Sequence, residues 1–463
     1  MQIGHSIKEK GGVINNSIVP FFRKKRYRVA LLFCMIVGTI YFYCAVRITH
    51  NIFAPTDEAY YTYLLDAFFH GHTNVTPPNQ FDLSLFENKW YLYWGPAPVL
   101  LILPFYLVFH LQASDVLYTA IGGTVNVVLF YGVMQEFKKY FGLSLSLMAE
   151  AFLVLSFGLA SPNFFLSVAG MICYTNQIFA TTYLLLFYLL YFRFLKSEKH
   201  SHLMLCAVFF CLACLSRYTL VFHGILFIYV FVHSNISGRA IPPKIILALG
   251  LLTLAFISLE AFYNFVRFHD VLETGHRFQV GSAKLDAVVK SNEILSPGYF
   301  LHNAYYCFLN NVHFSPQSLS VIMDYEGNSI FSVYPALLLL PVLFCKRKNA
   351  DKKRMSFVTI AGIVIGLNLL ALLLYQATGT AQFGYRYVFD VLPLIFLLFM
   401  FILPSIPIVI QIGLLVYGLF VNFYGSMAFY SLFPSFADPV FEIVIGAVIA
   451  VFIFTERLEE TSQ

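Results

Sequence analysis

Two adjacent carboxylates, Asp57 and Glu58, follow a long apolar run within Ala54-Pro55-Thr56-Asp57-Glu58-Ala59-Tyr60-Tyr61. A carboxylate beside an apolar groove at a membrane surface keeps its proton to higher pH and can act as a general base. The plainer reading is a helix N-terminus, where Thr56 or Asp57 caps a helix that Pro55 introduces and Asp66 falls two turns on. Lys89 is a single lysine in the aromatic run Glu87-Asn88-Lys89-Trp90-Tyr91-Leu92-Tyr93-Trp94-Gly95-Pro96, which holds both of the chain's tryptophans. Interfacial belts enrich such rings, yet a lone ammonium among them suits a lipid phosphate. Three further stretches carry arginine at the edge of apolar sequence: Tyr263-Asn264-Phe265-Val266-Arg267, Glu273-Thr274-Gly275-His276-Arg277 and Gly384-Tyr385-Arg386-Tyr387. Arg217, in Leu215-Ser216-Arg217-Tyr218, belongs with them more weakly. Cations in these places suggest anion binding, with snorkelling as the alternative.

The elements that must position these residues are helices in lipid. Of 463 residues, 59% are hydrophobic, 18% aromatic and 11% charged, whereas soluble domains carry roughly 25% charge. Apolar runs approach the roughly 20 residues a helix needs to cross a bilayer, and they lack the alternation of barrel strands. The expected fold is an all-α polytopic membrane protein with about twelve transmembrane helices. These fall near 28-47, 115-135, 143-160, 172-194, 203-218, 219-233, 245-264, 331-345, 356-375, 387-403, 406-424 and 439-454. The segment from Trp90 to Leu111 decides the topology. If it spans, basic clusters at 136-142 and 193-202 face outwards; if it lies in the interface, all basic clusters share one side with the N-terminus. The second choice follows the positive-inside bias. It yields a basic cytoplasmic N-terminus at 1-27, a transmembrane body at 28-403, C-terminal helices at 404-454 and a cytoplasmic tail at 455-463. Two large non-cytoplasmic loops, about 48-114 and 265-330, carry interfacial helices and the chemistry.

Several classes are disfavoured by the residues. The net charge of +5 is explained by cytoplasmic loops, so nucleic acid is not an expected partner. The eight cysteines are scattered and read as buried thiols; Cys206, Cys211 and Cys214 lack partners for a metal. His70-Gly71-His72 reads as loop polarity, and Asn74-Val75-Thr76 fits a short, common glycosylation pattern. No phosphate-cradling glycine loop, HExxH or nucleophile elbow is present. The residues point to no particular cofactor, and a divalent metal is left open.

In their order, the motifs resemble the C-type glycosyltransferase superfamily, in particular the polyprenyl-phosphate-sugar-dependent enzymes that include protein O-mannosyltransferases and lipid A aminoarabinose transferases. The resemblance rests on Asp57-Glu58, the stretch Tyr60 to Val75, Lys89 to Pro98, the basic turn Phe137 to Gly142, and the three arginine motifs. It spans about residues 25-403. Two departures stand out. Tyr60 replaces an arginine of the lipid A transferases, and Tyr174, Asn176 and Gln177 stand where many relatives place a second acid.

The resemblance implies inverting transfer of a sugar from a polyprenyl-phosphate donor to a lipid, glycan or protein acceptor on the non-cytoplasmic face. In that scheme Asp57 is the base and Glu58 the reserve, while Lys89, Arg277 and Arg386 hold the donor phosphate. Tyr60, Tyr61, Trp90, Tyr93, Arg217, Tyr263, Glu273, His276 and Tyr385 line the groove. The expected home is a bacterial plasma membrane, with membrane lipid as a partner. The alternatives are a lipid-linked oligosaccharide flippase or a surface-polysaccharide polymerase or ligase; a transporter would show internal repeats and midplane charge.

Overall fold

The computed structural model describes residues 25–236, 240–281, 294–315, 321–345, 351–379, 381–432 and 446. Among them, six helices are long and apolar enough to cross a membrane. They are α1 (Lys25–Thr49), α4 (Asp115–Phe141), α6 (Ile172–Ser197), α9 (Pro243–Phe268), α10 (Lys352–Leu373) and α12 (Ile408–Phe429). Between them lie α2 (Tyr60–Phe69), β1 (Leu83–Phe86), β2 (Lys89–Tyr91), α3 (Val99–Phe109), α5 (Leu147–Leu159), α7 (His200–Cys214), α8 (Leu226–Ile236), β3 (Gln279–Val280), β4 (His313–Phe314), β5 (Val321–Ile322) and α11 (Leu392–Phe399).

The chain is a helical polytopic membrane protein, as its composition requires. Several expected spans are shorter or broken. Segment 219-233 starts as a 3-10 turn, Tyr218–Ile225, before α8, and 331-345 is three short helical pieces. Segment 387-403 opens on the 3-10 turn Arg386–Asp390. Hydropathy sees how apolar a segment is and is blind to such breaks. The helix expected at 439-454 falls outside the described residues.

The core is aromatic and centres on α4, α5, α6 and α11, where Phe130, Phe137, Phe157, Phe192 and Phe396 are fully buried. By contrast α9 stands at the edge, with Leu247, Leu254 and Ile257 each more than half exposed, as a lipid-facing helix would be. At one end of the body, the basic ends of α4 and α6 gather. Glu136 pairs with Lys139 at 2.9 Å and Arg193 at 3.8 Å. Lys138, expected in an open cytoplasmic cluster, is instead buried in a pair with Glu150. Gly142 ends α4 with φ 64°, a left-handed turn that favours glycine.

At the opposite end the two long loops meet. β1 pairs antiparallel with β2 and with β3, giving the order β2-β1-β3. The β1–β2 turn places Glu87 and Asn88 at φ 48° and 58° between Phe86 and Lys89, the two-residue hairpin geometry that matches strand twist. β3 comes from the second loop, so Leu83 faces Val280 and Ser84 faces Gln279. Loops hydrogen-bonded to each other lie on the same side of a bilayer. In the segment Trp90 to Leu111, Trp90 is in β2 and α3 has 11 residues, or about 16 Å of rise against about 30 Å of hydrocarbon. The Thr56 N–H, before this segment, bonds the Asp115 carboxylate after it at 2.8 Å.

Candidate active site

The loop junction encloses a chamber of about 380 Å³ lined by Glu58, Asp82, Gln279, Glu326, Gln376 and Arg386. A second, mostly apolar chamber of about 350 Å³ is lined by Val221, Phe222, Leu295, Ala371 and Leu372 with Arg217 and His276. The two adjoin, for Tyr93, Trp94, Tyr375 and Tyr387 line both.

Glu58 is set in place by a relay from α4. Asp115 is buried at the start of that helix and accepts from the Thr56 N–H and hydroxyl. The Glu58 N–H then bonds Thr56 Oγ1 at 3.1 Å. Thr56 therefore serves Asp115 and not α2, whose N-cap is Ala59 without a side-chain bond. The expected cap by Thr56 or Asp57 is not made. Burial, then the negative charge of Asp82, push the Glu58 carboxyl above its usual range; the Ile172 N–H opposes this and Asp57 adds to it.

Asp82 has no counterpart among the expected site residues. It heads β1 at φ 63°, a conformation aspartate tolerates better than most residues. Its Oδ1 accepts from Tyr93 Oη at 2.8 Å and from Gln279 Nε2 at 2.5 Å. Burial raises its carboxyl above the usual value, with Tyr93, Gln279, Arg386 and Trp94 pulling the other way.

Arg386 is 3% exposed and its bonded partners are neutral. Nη2 donates to Gly379 O at 2.7 Å and Nη1 to Gln177 Oε1 at 3.3 Å, while Nε has no partner. Gln177 occupies the stretch where the resemblance would place a second acid. A neutral amide there orients the guanidinium without cancelling its charge.

Neither a family model nor a curated protein matches the sequence. By structure the chain is similar to ArnT from Cupriavidus metallidurans bound to undecaprenyl phosphate, at 14% identity over 84% of this chain and 62% of that one, with a TM-score of 0.47. It is also similar to the Archaeoglobus fulgidus oligosaccharyltransferase tethered to an acceptor peptide, at 13% identity over 90% of this chain and 57% of that one, with a TM-score of 0.48. The chain spans about three fifths of the length of each. What those proteins bind is theirs; the chemistry of this chain follows from its own residues.

The remaining expected residues divide. Asp57 is exposed and does not line either chamber. Lys89 is exposed on β2, and Arg277, with a side chain 57% exposed, pairs with Glu273 at 3.4 Å; neither lines a chamber. Arg217 lines the apolar chamber, but Asp390 neutralises it, so it is not a free anion holder. Tyr93 and His276 stand in chamber walls, ring to ring at 4.7 Å.

The other groove candidates are structural neighbours of the site. Tyr60 donates to Phe81 O at 2.7 Å and Tyr61 to Gly95 O at 3.0 Å. Trp90 pairs with Leu85 across the hairpin, Tyr263 lies under the Arg267 guanidinium at 3.8 Å, and Tyr385 is fully buried. Among the described residues, no three His, Cys, Asp or Glu side chains gather as metal ligands. Asp82, Asp115 and Asp390 carry no motif in the sequence. A hairpin signal was nonetheless present: Leu83 to Phe86, a Glu87-Asn88 turn, then Lys89 to Tyr91.

Proposed function

We propose that the protein is a membrane glycosyltransferase that moves a sugar from a polyprenyl-phosphate donor to an acceptor hydroxyl at the loop end of the body. One observation carries this reading: an apolar chamber adjoins a polar chamber with a carboxylate and a guanidinium whose bonded partners are neutral. An amphiphile with a long apolar chain and a phosphate-linked sugar matches both halves. The basic ends of α4 and α6 lie at the other end, which by the positive-inside rule makes the loop end non-cytoplasmic.

In the transfer, Glu58 takes the proton of the acceptor hydroxyl as its oxygen attacks the anomeric carbon from the face opposite the phosphate. The bond from that carbon to the phosphate oxygen breaks, and its electron pair leaves on the lipid phosphate. Arg386 meets the charge that gathers there. Glu58 takes this role in place of Asp57 because it lines the chamber and is desolvated. An acceptor that is itself an ionised phosphate would need little of this help.

The test is the glycan and glycolipid profile of cells with and without the gene, complemented by wild type or by Glu58→Gln. A product lost on deletion and restored by wild type alone is expected. An unchanged profile on deletion overturns the reading.

A further inference from the structure

We infer that Asp82 and Gln279 form a clamp for the transferred sugar: two fixed hydrogen-bond acceptors in the polar chamber that take neighbouring hydroxyls of a pyranose. The inference rests on the donor reading above and adds what recognises the sugar.

The geometry begins with a closed triangle. Tyr93 Oη and Gln279 Nε2 both donate to Asp82 Oδ1, and Gln279 Nε2 also lies 2.8 Å from Tyr93 Oη. The Asp82 N–H is tied to Val280 O at 2.9 Å, so backbone and side chain are both fixed to the second loop. Asp82 Oδ2 is left outside the triangle. An ionised carboxylate only accepts, so the Gln279 amide must present its nitrogen to Asp82 and turn its oxygen away. That oxygen, Oε1, is buried in a residue 8% exposed and has no partner. Buried acceptors in folded proteins are otherwise paired, and Gln279 lines the polar chamber, where a ligand hydroxyl can supply the donor.

Two acceptors on one rigid frame select a ligand that has protons to give. An ionised phosphate has none and is repelled by Asp82. The vicinal hydroxyls of a sugar each have one. Three residues that line the chamber carry an unpaired N–H donor, Arg386 Nε, Trp94 Nε1 and Gln376 Nε2; the charged one, Arg386, is where the phosphate finds its contact. The chamber thus offers a charged donor to a phosphate and the two acceptors to sugar hydroxyls. Asp82 comes from the first loop and Gln279 from the second, so the clamp exists only where the loops pair.

The test is native mass spectrometry of the full chain in lipid nanodiscs. The probes are undecaprenyl phosphate alone and undecaprenyl phosphate carrying glucose, mannose or galactose. Wild type should hold at least one glycosylated lipid about tenfold more tightly than the bare one, the selectivity expected of a site built to bond hydroxyls. Asp82→Asn and Gln279→Leu should each reduce that preference. Bare-lipid binding should stay within about twofold in Gln279→Leu and be equal or tighter in Asp82→Asn, where the charge that repels phosphate is gone; retained binding also reports that the variants fold. A preference unchanged in both variants, or absent in wild type for all three sugars, overturns the clamp and leaves the donor reading intact. Loss of bare-lipid binding in both variants makes the residues struts of the loop junction and also overturns the clamp. Failure of wild type to bind any of the four lipids overturns the donor reading, and the clamp with it.

Discussion

Arg217 and Asp390 meet in a two-point ion pair, Nε to Oδ1 at 2.9 Å and Nη2 to Oδ2 at 3.0 Å, although 173 residues separate them. Thr219 Oγ1 adds a bond to Oδ2 at 2.6 Å, and His223 Nε2 lies 3.0 Å from the Asp390 carbonyl. Both charged side chains are buried. Asp390→Asn would leave the guanidinium buried without its charge partner, at a cost of about 3–5 kcal/mol. A lower unfolding temperature in detergent is the expected result, and Arg217→Met combined with Asp390→Leu should recover most of it. A double-mutant cycle measures the coupling.

Glu58→Gln should lower turnover roughly 10²- to 10⁴-fold with expression unchanged, the usual contribution of a general base. The acid limb of the kcat/KM profile has a defined direction. The base works deprotonated and its carboxyl is raised above the ordinary 4.5, so the rate falls with falling pH above the range of a free glutamate. Asp82→Asn removes a neighbouring negative charge and should move that limb to lower pH.

Arg386→Ala should weaken binding of undecaprenyl phosphate by about tenfold or more, since a buried charge-assisted contact is lost. Lys89→Ala and Arg277→Ala should each stay within about twofold of wild type, because exposed charges in water contribute little. Titration of the lipid against the three variants checks the ordering.

His276 gives stability a pH dependence. Burial, then the positive charge of Arg267, hold its pKa down to about 4, against 6.5 ordinarily. Between these values the unfolded chain binds the proton and the folded chain does not, so stability rises with pH. The contribution is whole above about 6.5 and is lost as pH falls towards about 4. His276→Gln should flatten the unfolding midpoint measured across that window.

Gly95 shows how closely the first loop is docked. A Cβ there would lie 1.9 Å from the Leu215 carbonyl oxygen, a backbone atom that cannot rotate away. Gly95→Ala should destabilise by roughly 1–3 kcal/mol or more through overpacking. Gly132→Ala is the control, because its Cβ would meet Leu189 Cδ1 at an ordinary 3.6 Å. Thermal unfolding of both variants separates the local clash from a general glycine effect.

Long spans such as α4, α6 and α10 were legible because twenty apolar residues in a row have few alternatives to a helix in lipid. Glu58 and Arg386, which line the polar chamber, drew notice because charge at the edge of apolar sequence is costly. Asp82 was not, since an aspartate among Asn79, Gln80 and Phe81 looks like ordinary loop polarity until β1 pairs with β3. Asp390 was hidden for the opposite reason: it lies inside an apolar run, where its meaning depends on Arg217 arriving from another helix. Lys89 and Arg277 line neither chamber, because side-chain direction on a strand or turn is set by tertiary pairing that spacing alone does not contain.

The four rings shared by the chambers, Tyr93, Trp94, Tyr375 and Tyr387, form a phase boundary inside the protein. In the proposed reaction a spent carrier is soluble on the oily side and a glycosylated acceptor on the wet side. The products therefore part in opposite directions, each into the solvent that already suits it. Turnover then needs no step in which a long hydrocarbon crosses water, and the carrier is returned to the pool from which it came.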